Sequence, residues 1–153
     1  MARQLHLIVV GKLKDPHLEA VETDYLKRIN NPDLLIHEVR SSAENKEAEG
    51  EAIFKRIKEL APSGNTHLIA MTEWGKQRNS IAFAEWTSTL IERPQKIFFL
   101  IAGAEGFSQE VLSAVQEKIS LSELTFPHKL ARLLLVEQLY RAQTIRSKHP
   151  YHN

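Results

Sequence analysis

Lys96-Ile97-Phe98-Phe99-Leu100-Ile101-Ala102, followed by Gly103-Ala104-Glu105-Gly106-Phe107-Ser108, holds the most strand-like run of the chain and the turn that leaves it. Five consecutive branched or aromatic apolar residues cannot be a strand with one wet face; they read as a strand buried on both faces. The two glycines make a short turn, and Ser108 is an N-cap with Glu110 in the first turn of a helix that should run to about Glu117. A doubly buried strand feeding a helix is the unit of a parallel sheet covered on both sides.

The same alternation extends in both directions. Upstream, Leu5–Val10 reads as a buried strand, and Asp15-Pro16 opens a helix to about Ile29, which Asn30-Asn31-Pro32-Asp33 stops. Leu34–Val39 is a second strand, and Ala43–Leu60 an amphipathic helix with Ile53, Phe54, Ile57 and Leu60 on one face. Thr66–Thr72 is a third strand and Ser80–Glu92 a third helix, with Ile81, Ala84, Trp86 and Leu90 among its apolar positions. Downstream, Ile119–Leu121 reads as a short last strand and Pro127 opens the final helix. The expected class is α/β, a mostly parallel sheet with helices on both faces.

Composition sets the bounds. The 153 residues fit one domain spanning 1–153, with 42% apolar and 25% charged residues. Without cysteine, disulfides, thiolate metal sites and cysteine nucleophiles are excluded, and a cytoplasmic setting is expected. No apolar run reaches bilayer length, and Leu5–Gly11 is too short and strand-like for a signal peptide. No membrane partner is expected. Net charge is only +1, but from Phe126 onward Lys129, Arg132, Arg141, Arg146 and Lys148 face the single acid Glu137, beside His128, His149 and His152. That distribution suits an anionic partner, RNA first, or else a solvated basic end.

In open parallel sheets, ligands bind beyond the carboxyl ends of the strands. Three loops leave that edge: Met71–Gly75, Ala102–Gly106 and Ser120–Thr125. Gly103-Ala104-Glu105-Gly106 lacks the third glycine of a dinucleotide fingerprint and the Gly-Lys-Ser/Thr of a phosphate loop, and taken alone reads as a tight turn. Ser120–Pro127 alternates hydroxyls with leucines, a pattern able to wrap an adenosine-sized ligand or to form one more edge strand. The final helix is apolar on most of its circumference (Leu130, Leu133, Leu134, Leu135, Val136, Leu139, Tyr140), so it should be sandwiched in the core or between subunits. Glu137 and Arg141 are spaced to pair within it. His6, His17, His37 and His67 read as structural or surface residues. No zinc-type histidine spacing and no Gly-x-Ser-x-Gly elbow occur, so neither a metal site nor a serine hydrolase is expected.

Leu100-Ile101-Ala102-Gly103-Ala104-Glu105-Gly106-Phe107, Ile119-Ser120-Leu121-Ser122-Glu123-Leu124-Thr125-Phe126-Pro127-His128, the Leu134-x-x-Glu137-Gln138-Leu139-Tyr140-Arg141-Ala142 run and His149-Pro150-Tyr151-His152 occur in fixed order. Together they resemble the RlmH family, SPOUT-class methyltransferases that modify N3 of a pseudouridine in 23S ribosomal RNA. The resemblance covers the full length and is strongest from Ile97 onward. It implies a C-terminal trefoil knot, S-adenosylmethionine bound in that knot, and a homodimer whose sites are each completed by the partner. It also implies action on 23S rRNA in the assembled ribosome. The implied cofactor contacts are Met71, Gly103, Ser122, Glu123, Leu124, Thr125, Phe126 and Pro127. Some relatives have glycine where Ala102 stands, and Ser41–Asn65 matches in pattern only.

Methylating the imide N3 requires loss of its proton or stabilisation of charge developing on the flanking carbonyls. In that setting His152 is the candidate base, and Tyr151 the candidate to stack on or hydrogen-bond the target base. Arg141 and His128 are candidates for holding the uracil carbonyls or phosphate. The competing expectations are a non-enzymatic ribosome-associated RNA-binding module and, by fold analogy alone, a flavodoxin-like nucleotide-binding enzyme.

Overall fold

The structure is a computed structural model and describes residues 4–153. In chain order its elements are β1 (Gln4–Val10), α1 (Pro16–Arg28), β2 (Asp33–Val39), α2 (Lys46–Leu60), β3 (Thr66–Lys76), α3 (Ser80–Ile91), β4 (Lys96–Ile101), α4 (Gln109–Ala114), β5 (Glu117–Ile119) and α5 (His128–Arg146). A short 3-10 turn, Pro150–His152, follows. All five strands are parallel, in the order β2-β1-β4-β3-β5.

Side-chain alternation divides the core in two. From β1 and β4, Leu5, Leu7, Val9, Ile97, Phe99 and Ile101 point toward α1, α3 and α5. Ile8, Val10, Phe98 and Leu100 point the other way, toward α2 and α4. Caps set the helix starts: Asp15 accepts from the amides of His17 and Leu18, Asn79 from Ala82 at 2.8 Å, and Ser108 from Val111.

Four elements differ from expectation by more than one residue. α2 starts at Lys46 rather than Ala43, because Asn45 accepts from the Ala48 amide at 3.0 Å and Glu44 turns through φ +58° just before it. α4 ends at Ala114 instead of near Glu117, and the last strand is Glu117–Ile119 rather than 119–121. The edge of β3 captures the chain there: Gln116 exchanges bonds with the backbone of Leu68 at 2.7 and 3.0 Å. Glu117 then takes bonds from the His67 ring (2.6 Å) and the Trp86 indole (3.0 Å). Finally, β3 does not stop at Thr72. Both Met71 and Lys76 pair with Ile119, so Thr72–Gly75 bulges out of the ladder. Gly75 permits the crossing, since a Cβ there would lie 2.5 Å from the Ile119 backbone.

α5 packs between α1 and α3. Its deeply buried charge is Arg132, which reaches both oxygens of Glu22 on α1 at 2.7 and 2.8 Å and Glu38 on β2 at 2.7 Å. Glu38 also accepts from the Leu13 amide. This network joins three elements, and removing one partner would strand a buried charge.

Of the four histidines read as structural or surface residues, His67 pairs with Glu117, and His6 and His37 pair with each other. His6 Nδ1 lies 3.0 Å from His37 Nε2, and the His6 ring stacks on both His37 and Phe98. Burial, reinforced by the charges on His37 and Lys96, lowers the His6 pKa from 6.5 to about 4. The unfolded chain therefore takes up this proton first, so the contribution is present above pH 6.5 and lost as pH falls toward 4. Urea unfolding at pH 7 and pH 4.5 should show a loss on the order of 3 kcal/mol attributable to this group. The expected mark is a shallower pH dependence in His6→Gln; an unchanged slope would contradict it.

Candidate active site

The three loops chosen at the sheet edge converge on one cleft of about 570 Å³, within the usual size of ligand pockets. The end of β3 supplies Met71, Thr72, Glu73 and Trp74. The β4–α4 turn supplies Ala102–Phe107, and the segment before α5 supplies Ser120, Leu121, Ser122 and Leu124–Pro127. His128 and Ala131, at the start of α5, close one side.

Each wall has a local cause. Gly106 adopts φ +80°, which lets its amide turn back to the Gly103 carbonyl at 3.1 Å. Gly103 approaches Glu49 so closely that an added Cβ would lie 3.1 Å from a carboxylate oxygen. In the third wall, Ser120 Oγ donates to the Ser122 carbonyl at 2.9 Å, and Ser122 Oγ accepts from the Leu124 amide at 3.0 Å. Short side-chain-to-backbone bonds of this kind shape a segment without regular structure.

Of the residues expected to hold a cofactor, Met71, Gly103, Ser122, Leu124, Thr125, Phe126 and Pro127 line the cleft, as does His128. Glu123 is exposed and is not among the lining residues. Thr72 was not singled out, yet its Oγ1 is shielded from solvent with no hydrogen-bond partner among the described residues, in a cleft wall. The sheet-edge rule picks out its loop, Met71–Gly75, but nothing in the sequence marks Thr72 within it.

Arg141, Tyr151 and His152 form a separate cluster near the other end of α5. Arg141 donates to Glu137 Oε2 through Nε (3.2 Å) and Nη2 (2.8 Å), and its Nη1 lies 3.1 Å from His152 Nδ1. The Glu137 bond raises the Arg141 pKa above its ordinary value. Tyr151 donates its hydroxyl to Glu137 Oε2 at 2.8 Å, meets the Tyr25 hydroxyl at 3.2 Å and packs edge-on against Tyr140. Burial, then the bonds to Tyr25 and Glu137, push the Tyr151 phenol up from its usual range. Its hydroxyl is thus engaged within the protein. Tyr25, on α1, is another member missed in the sequence, for it stands 126 positions from Tyr151. His149 accepts from the Tyr151 amide and caps the final turn. Along α5, Arg141 stands ten positions beyond Ala131, the last cleft residue, about 15 Å along the axis. Within one chain, cleft and cluster do not meet.

Among the described residues, no group of three or more His, Cys, Asp or Glu side chains could hold a metal ion, and no helix is long and apolar enough to cross a membrane.

A parallel sheet with a loop-built cleft where the final helix starts is the architecture of a SPOUT methyltransferase, and the family described as "Predicted SPOUT methyltransferase" matches residues 3–152. Two solved structures share the fold. One is a probable methylase family protein of Haemophilus influenzae (TM-score 0.58, 12% identity, 98% of this chain and 70% of that one). The other is the SpoU methyltransferase AviRb of Streptomyces viridochromogenes, solved with its cofactor AdoMet (TM-score 0.52, 11% identity, 94% of this chain and 59% of that one). Sequence relatives are closer. The ribosomal RNA large subunit methyltransferase H of Bacteroides fragilis is 36% identical, covering 96% of this chain and 97% of the relative. That of Bacillus cytotoxicus is 39% identical (97% and 98%), and that of Prochlorococcus marinus 40% identical (95% and 94%). The chain belongs to the RlmH family of SPOUT methyltransferases.

Proposed function

We propose that this protein is a homodimeric, cytoplasmic methyltransferase that uses S-adenosylmethionine to methylate N3 of a pseudouridine in 23S ribosomal RNA of the assembled ribosome. Family membership supports the methylation of large-subunit rRNA. The observation that carries the site is the cleft, in which seven of the eight expected cofactor residues meet.

The cleft suits the cofactor. Met71, Leu124 and Phe126 offer apolar surface for an adenine, and the backbone of Gly103 and Ser122–Pro127 offers polar groups for its edge. Thr72 Oγ1 would gain the partner it lacks. Glu73 and Glu105 on the walls suit a sulfonium cation. When bound, the cofactor supplies a methyl group already activated for transfer. The trefoil threading that family resemblance implies belongs to this reading, with Ser120–Pro127 as the knotted wall.

The target base is assigned to Tyr151, His152 and Arg141, with His128 at the cleft mouth. Because roughly 15 Å of helix separates that cluster from its own cleft, the cluster acts on the cleft of a second copy. Leu130 and Leu134 on α5, Ile81 on α3 and Leu124 are large apolar side chains left exposed in the single chain, and they support such a partner. A nucleotide must leave its stack to reach a methyl donor in a cleft, which suits a shaped substrate such as the ribosome.

The test is incubation with labelled S-adenosylmethionine and either assembled ribosomes or stripped rRNA, with the methyl group mapped by mass spectrometry. Transfer to one uridine-derived base at N3, in ribosomes and not in stripped rRNA, is the expected result. No transfer, with no thermal shift on adding the cofactor, would leave a non-enzymatic RNA-binding module instead.

A further inference from the structure

We propose that His152 serves the reaction as a neutral hydrogen-bond donor through Nε2–H, and not as its general base. This rests on the reading above, that His152 meets the target base. Arg141 Nη1 lies 3.1 Å from His152 Nδ1. A guanidinium has donors and no acceptor, so in this contact Nδ1 must accept. A neutral imidazole carries a single N–H, and with a lone pair on Nδ1 that hydrogen sits on Nε2.

Arg141 is not free to turn away and release the ring. Glu137 grips its Nε and Nη2, and its guanidinium lies over the Tyr151 ring at 4.9 Å from the centroid. Glu137 is itself fixed by the Tyr151 hydroxyl and by the Gln138 amide at 2.7 Å. A hydrogen on Nδ1 would face a guanidinium N–H, so this contact needs the Nδ1 lone pair. Nε2 has no hydrogen-bond partner among the described residues. The chain therefore presents an N–H, where a base would need a lone pair.

That donor matches the chemistry. As N3 loses its proton, negative charge spreads over the two carbonyl oxygens beside it, and a fixed N–H aimed at one of them stabilises the transition state. A neutral imidazole donating to a carbonyl is an established catalytic arrangement. The proton from N3 passes to water. The N3 lone pair forms the bond to the methyl carbon as the carbon–sulfur bond breaks, and that pair stays on sulfur as a neutral thioether. Arg141 is then a positioning residue, since it sets which nitrogen of His152 carries hydrogen.

Two measurements test this. In protein with nitrogen-15-labelled histidine and no cofactor, long-range proton–nitrogen correlation should show His152 bare at Nδ1 and protonated at Nε2, the signals being assigned by their loss in His152→Gln. Hydrogen on Nδ1 overturns the proposal. In ribosome methylation, His152→Gln keeps an N–H near the Nε2 position but cannot accept a proton. It should retain kcat within about tenfold of wild type, whereas His152→Ala falls at least about a hundredfold, the usual effect of losing one such donor. Both variants should bind S-adenosylmethionine as wild type does by calorimetry. Active wild type with His152→Gln as poor as His152→Ala overturns this role alone; inactive wild type overturns the proposed function as well.

Discussion

Deletion of Tyr151-His152-Asn153 is expected to lower methyl transfer to ribosomes at least about 10²-fold in kcat, in the range seen when a positioned donor or proton-transfer group is lost. S-adenosylmethionine affinity should stay within about twofold, because none of the three residues lines the cleft of its own chain. The deletion also removes the Tyr151 hydroxyl from Glu137 and Tyr25, so a small loss of melting temperature is expected, roughly that of one or two hydrogen bonds. Ribosome methylation assays beside calorimetry separate the effects. Methylation that survives with unchanged cofactor affinity would remove these residues from the reaction.

Gly103→Val should abolish detectable cofactor binding, at least about a 100-fold loss if one contact face of the ligand is blocked. The first added carbon already meets Glu49 Oε1 at 3.1 Å, Oε2 at 3.2 Å and a Val10 methyl at 3.2 Å. Glu49 cannot easily give way, for it is buried and its Oε2 accepts from the Ser42 amide and the Ser41 hydroxyl. The turn must therefore move, and its backbone is a wall of the cleft. Calorimetric titration checks the affinity, and the melting temperature without cofactor checks that the variant folds. Normal affinity would place the cofactor elsewhere.

What the sequence displays is what short-range chemistry controls. Ile97–Ile101 can only be a buried strand, Asp15-Pro16 can only open a helix, and the sheet-edge rule picks out the three loops that do form the cleft. What it hides is set by pairing at long range. Gln116 and Glu117 look like the end of a helix until the edge of β3 is present to bond them. The helix charges that attract notice are Glu137 and Arg141, because they are one turn apart. The pair with the deepest burial is Arg132 with Glu22, 110 positions away. Tyr25 is equally invisible beside Tyr151. In each case the missing information is which distant element arrives next to which.

The distance along α5 has a genetic meaning. If a whole site takes its cleft from one copy and its Tyr151–His152 from the other, the chain is not the unit that succeeds or fails. A lesion at Gly103 and a lesion at His152, carried by two different subunits, leave one intact pairing in the mixed dimer. The same two lesions in one subunit, set against a wild-type partner, spoil both pairings. Alleles of this protein would therefore complement or poison one another according to which end of a single helix they strike.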